Sequence, residues 1–170
     1  VYNNNPNNNV SGTWGGVLIL GSTYIARDTA AGIDPTREEQ AEGLTRVDGT
    51  FGGGNDDDDS GVFTYVSLRY GGFGLQPNEE INGLTMSGVG RNTVIEYVEV
   101  FNNQDDGFEW FGGTVNSKYL VSAFNGDDSF DIDEGWRGKN QFWFVIQAED
   151  IGDRGGEHDG GTDPEDGQPY

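Results

Sequence analysis

Two stretches of this chain superpose residue for residue at an offset of 22. NNQDDGFEWFGG (102–113) lies over FNGDDSFDIDEG (124–135), with Asn103 on Asn125, Asp105 on Asp127, Asp106 on Asp128, Phe108 on Phe130 and Glu109 on Asp131. The preceding segment keeps the step through Val98, Leu120 and Phe142. One unit earlier, Gly83-Leu84-Thr85-Met86 lies over Gly107-Phe108-Glu109-Trp110 at an offset of 24. One unit later, the run from Gly155 to Gly161 lies over Ser129–Gly135 at an offset of 26. Turn residues and strand residues therefore recur together, and a fold must explain both.

A step of 22–26 residues, with two or three short β-branched and aromatic segments and no helix, suits one coil of a right-handed parallel β-helix. Leucine-rich repeats have a similar period but need regular Leu spacing, which is absent. An antiparallel sandwich remains an alternative. It gives no reason for turns to repeat in step with strands. Twenty-nine glycines in 170 residues agree with a turn-rich, helix-poor chain.

The expected organisation is one β-helix domain over 1–170. It opens with a polar arm (1–12) and a first strand (13–21, TWGGVLILG). An excursion follows over 22–60, ending in the acidic run Asp56–Asp59, and regular coils occupy 61–170. Within the excursion, Thr36–Leu44 is expected to form a short helix, and the acidic run a flexible loop. The run is no EF-hand, because the required Gly and Glu are missing. Asn9-Val10-Ser11 is a glycosylation sequon, meaningful only in hosts that use it.

GTWGGVLILG, GGGNDDDDSG, DDGFEWFGG and DDSFDIDEGWRGK together resemble the β-helix region of large secreted bacterial surface proteins, many of them lipoproteins or sorted by the type IX route. The resemblance covers roughly residues 12–170. It implies an extracellular location on a bacterial surface and further coils before TWGG and after GQP. Those coils, or neighbouring subunits, would be the partners. It supplies no common activity to carry onto residues.

Alternation along the strands sorts the side chains. Leu84, Phe108 and Phe130 should face inward, with Met86, Trp110, Ile132 and His158 beside them. His158 is expected to be a partly buried, satisfied histidine. The other face would then carry Thr85, Glu109, Asp131 and Glu157 in one column and Ser87, Phe111, Asp133 and Asp159 in a second. Coils stack about 4.8 Å apart, so Glu109, Asp131, Asp133, Glu157 and Asp159 form an expected carboxylate patch. Two readings stay open: a solvated acidic face, or a cation site. Hard oxygen ligands with one His and no Cys suit Ca²⁺ rather than zinc. Asp105-Asp106 over Asp127-Asp128 is a second stack. It is read first as turn capping beside an Asn103–Asn125 amide ladder, with metal binding as the alternative. Trp136, in the turn Glu134–Lys139, is the candidate exposed aromatic for stacking a sugar.

A net charge of −21 argues against nucleic-acid partners, and no run approaches the roughly 20 apolar residues of a membrane span. The absence of Cys excludes thiol catalysis and thiolate metal sites. The expected function is a non-catalytic surface module, structural or adhesive, that binds Ca²⁺ or other cations and stacks end to end into a rod or filament. The alternative is a polysaccharide-binding or polysaccharide-cleaving protein. It would use Glu109, Asp131 and Glu157, with Arg137, Lys139 or Arg154 as base or charge stabiliser. Against that alternative, the charge repels polyuronates, and a repeat-wide acidic stack is not one distinct constellation.

Overall fold

The computed structural model describes residues 10–26, 28–29, 32–33, 38–44, 47–75 and 81–159. The Asn-rich start through Asn9, and the end from Gly160, lie outside them. Thirteen strands are present among the described residues. Val17–Leu20 (β1), Leu84–Ser87 (β7), Phe108–Phe111 (β9), Phe130–Asp133 (β11) and Glu157–His158 (β13) form one parallel sheet in that order. Val62–Arg69 (β6), Val94–Phe101 (β8), Asn116–Ala123 (β10) and Asn140–Ile146 (β12) form a second. Each coil contributes one strand to each sheet, so the parallel β-helix follows directly. The register is that of the repeat: Leu84 on Phe108 on Phe130, and Asp131 on Glu157. One alignment fails. Leu120 pairs with Trp143 rather than Phe142, because this coil is one residue longer.

The rings between the sheets are the core. Leu84, Met86, Phe108, Trp110, Phe130, Ile95, Val98, Val100 and Leu120 are essentially inaccessible. Phe108 stacks on Phe130 at 5.2 Å, and Phe130 on Trp143 at 4.0 Å. Burying one such side chain is worth about 1.5–3 kcal/mol, and coil stacking repeats the gain. His158 departs from expectation. It is exposed, because β13 is the edge of its sheet and no described residue covers it.

At the corners Asn103 and Asn125 are buried. The Asn103 N–H donates to Asn125 Oδ1 at 2.9 Å, and Asn125 Nδ2 donates to Ser122 Oγ at 2.7 Å. The amide column thus ties one coil's turn to the next. Gly107 sits where a Cβ would come within 2.5 Å of Asn125 Nδ2 and 2.6 Å of Ser122 Oγ. The second sheet carries a feature that the repeat analysis did not single out, although Tyr97 and Tyr119 stand at the same 22-residue step. Tyr65, Tyr97, Tyr119 and Phe142, each in mid-strand, all have left-handed φ between 56° and 63°. Their rings stack at 4.6, 4.5 and 5.0 Å, forming an exposed ladder along the outside.

The excursion folds back rather than standing off the surface. Asp28–Thr29 (β2) pairs antiparallel with Gly32–Ile33 (β3), and Glu38–Gln40 (β4) with Thr50–Gly52 (β5). A 3-10 turn spans Val47–Gly49. Of the helix expected over Thr36–Leu44, Glu38–Gln40 is a strand and 41–44 a turn, while 36–37 lie outside the described residues. Ile25, Ala41 and Phe51 from this segment pack on Leu18, Leu20, Leu44 and Phe111, making a second small core on the outer face of the first sheet. The acidic run is also held. Asp56 takes both Arg137 guanidinium nitrogens, at 2.9 and 2.8 Å, and Asp58 accepts from Ser22 and Ser60. Arg137 holds the Asp56 carboxyl below its usual range.

Candidate metal centre

The corner that precedes β9 and β11 brings the acidic residues together. The turn Asn103–Asp106 lies under Asn125–Asp128, and its carboxylates face those carried by the strands. Three groups result, each with one oxygen per residue and all oxygens within 4.8 Å of one another: Asp105, Asp106 and Asp127; Asp106, Glu109 and Asp131; and Asp127, Asp128 and Asp153. The turn stack and the strand column, separate in the sequence reading, share Asp106 here. Asp153 was not foreseen. It sits 26 residues beyond Asp127 and its N–H donates to the Asp127 carbonyl at 3.1 Å. The 26-residue offset already found for the last coil, extended two residues upstream, would have placed it.

The face that alternation assigned to solvent is largely covered. Thr85, Ser87 and Glu109 are buried, because the excursion packs over that side of the sheet. Asn82 Nδ2 donates to Glu109 Oε2. Cover thins toward the C-terminal end, where Asp131 and Glu157 are half-buried. Burial is thus the main cause that drives Glu109 well above the ordinary carboxyl range, with Asp106 and Asp131 adding repulsion. Burial also pushes Asp106 up to about 8, with Asp105 the next cause. Asp131 is raised to about 6 by burial, opposed by a hydrogen bond with Glu109. Near neutral pH Asp106 and Glu109 hold protons that a cation could displace.

Two oxygens in this neighbourhood lack donors among the described residues: Asp131 Oδ1 and Asn82 Oδ1, both buried atoms. Asn82 is itself 3% exposed and its amide lies against Glu109. Carboxylate and amide oxygens, with no nitrogen or sulfur, form a donor set for a hard cation. Ca²⁺ tolerates the irregular geometry of a corner better than Mg²⁺, which demands an octahedron.

The remaining candidates are placed otherwise. Asp133 Oδ1 accepts from the Glu134 N–H at 2.7 Å, Glu157 pairs with Arg154 at 2.6 Å, and Asp159 is exposed. None of the three joins a group of three acidic residues among those described. Glu157 is raised to about 7, first by its hydrogen bond with Asp128. Trp136 is half-buried, 5.8 Å from Trp110, and lines a cavity at the C-terminal end rather than projecting freely. The residues weighed as a base are engaged or distant. Arg137 is bound to Asp56, and Arg154 to Asp128, Asp153 and Glu157. Lys139 is exposed at that cavity's mouth. Glu109 and Asp131 come close enough for glycosidase chemistry, but Glu109 is 7% exposed beneath Asn82. A glycosidic bond has no access between them.

A family model described as a pectate-lyase-like β-helix domain matches residues 1–169. No curated protein and no solved structure matches the chain.

Proposed function

Because the chain belongs to the pectate-lyase-like β-helix domain family, we propose that it works as a non-catalytic, extracellular β-helix module whose carboxylate corner binds Ca²⁺. One observation carries this reading: Asp106, Glu109 and Asp131 converge within 4.8 Å beside a buried oxygen without a donor. Ca²⁺ bridging Asp105–Asp106 to Asp127–Asp128 and Asp153 would tie successive coils together and stiffen the rod. The edge strands β1, β6, β12 and β13 carry backbone groups unpaired by any described strand. Further coils or neighbouring subunits are their natural partners. A bacterial cell surface, as the sequence resemblance implies, supplies the millimolar calcium that a corner of this kind needs.

The test is a calcium titration followed by calorimetry and by melting temperature, on the natural chain and on Asp131→Asn. The expected result is a saturable heat with a rise in melting temperature, both weakened in the variant. No response to millimolar calcium would defeat the cation reading. Polysaccharide binding or cleavage is the second reading, favoured by the family description. Depolymerisation of an acidic polysaccharide that survives Asp131→Asn would leave that reading standing and the present one wrong.

A further inference from the structure

The ladder Tyr65–Tyr97–Tyr119–Phe142 runs along the side of the helix. Its central rings do not owe their exposure to the open ends of the coil stack. Tyr97 and Tyr119 each have a ring stacked on both sides, and they are still 40% and 39% exposed. A further coil at either end would leave that exposure in place. Val94, Phe144 and Ile146 carry the apolar surface across the same strands. The face also differs from the rest of the chain in charge. Its four strands have Arg69, Lys118, Glu96 and Glu99 as their only charged residues, two of each sign. The sheet is therefore neutral on a chain of charge −21. Arg69 is paired with Glu99 at 2.6 Å. Lys118 and Glu96 lie side by side in register on β10 and β8, one residue before the ladder.

We propose that this face pairs side by side with the same face of a second copy, coil axes antiparallel, about a two-fold axis parallel to the strands and between β8 and β10. That axis sets Lys118 of each copy opposite Glu96 of the other, and Tyr97 opposite Tyr119. The charge pattern is thus self-complementary, as an isologous contact requires. Other approaches bring two strongly acidic surfaces together, whereas this one does not. A glycan fits less well. The ladder planes lie within 13° of one another, so the central rings turn edges outward, and a sugar packs on a ring face. Four strands of eight residues span about 26 by 19 Å, or about 500 Å² on each copy, against about 800 Å² in a standard interface. The pair is therefore weak, with a Kd on the order of 10–100 μM. It uses none of the corner residues and lies across the rod rather than at its ends, so it stands apart from the calcium reading.

The test is sedimentation equilibrium of the whole chain in chelator, up to about 500 μM, at low and at about 0.15 M salt. A monomer–dimer equilibrium that stops at two copies is expected, tighter at the higher salt because the net repulsion is screened. Lys118→Glu and Glu96→Lys should each weaken it about tenfold, since like charges then face each other. Mixing the two variants should restore the pair, because every contact is again between opposite charges. Tyr97→Asn, which suits the left-handed backbone, should also weaken it about tenfold. A monomer throughout, growth beyond two copies, or two reversed variants that do not pair when mixed would overturn the proposal. So would retention by an uncharged glycan array that Tyr97→Asn abolishes while the chain stays monomeric.

Discussion

Replacing Asp106 with Asn should make the calcium-free protein more stable at pH 7 and less dependent on pH. Asp106 is raised from 3.8 to about 8 by burial and by Asp105. Between those values the folded state holds a proton that the unfolded state has released. Stability is therefore full below about pH 4 and is lost as pH rises toward 8. One such proton changes unfolding free energy by about 1.4 kcal/mol per pH unit. Three units would give about 4 kcal/mol, and relaxation of a partly hydrated site reduces this to about 2. Asn keeps the acceptor that Asp106 Oδ1 offers to the Asp128 N–H at 2.9 Å, so the turn survives. Urea unfolding at pH 5, 6 and 7 in the presence of chelator reads the slope. The wild type should weaken with pH, and Asp106→Asn should be flatter by about one proton, gaining about 2 kcal/mol at pH 7. It should also lose the calcium response. Parallel slopes, or a variant weaker than wild type at pH 7, would refute the argument.

Two further perturbations test the scaffold. Tyr97 has φ of 56° and stacks on Tyr65 and Tyr119. Tyr97→Ala and Tyr97→Gly lose the same ring contacts, but only Gly relieves the backbone, so Ala should be less stable by about 1 kcal/mol in chemical denaturation. Arg137→Ala leaves the half-buried Asp56 without its bidentate partner. Limited proteolysis should then cut within 53–60 at least several-fold faster than in wild type, and unchanged cleavage would show that other bonds hold the loop.

The coil period was legible because stacking in register demands the same residue types at the same place in every turn. Asn103 over Asn125 and Leu84 over Phe108 over Phe130 show it. The β12 register slipped by one in the sequence reading because both Phe142 and Trp143 are aromatic. Only the left-handed backbone at Phe142 tells the ladder position from the core position. Hydrophobicity cannot report that conformation.

The candidate site was legible as columns, since strand alternation puts Glu109 on Asp131 on Glu157. Its electrostatics were not. Alternation says which way Glu109 points from the sheet, but whether water meets it depends on chain that folds back from residues 22–60. The helix expected over Thr36–Leu44 failed for the same reason. Glu38–Gln40 pairs with Thr50–Gly52 instead, and Ala41 and Phe51 pack with Phe111.

By itself, then, the sequence determined the coil, its core rings and the acidic composition of one corner. Each follows from a local rule repeated at a fixed step. Tertiary structure alone decided that Glu109 is buried, that Asp106 bridges turn and strand carboxylates, and that Arg137 reaches Asp56 across 81 residues of chain. Those outcomes depend on contacts between segments with no shared period, and free energies of burial and charge are set by the contacts.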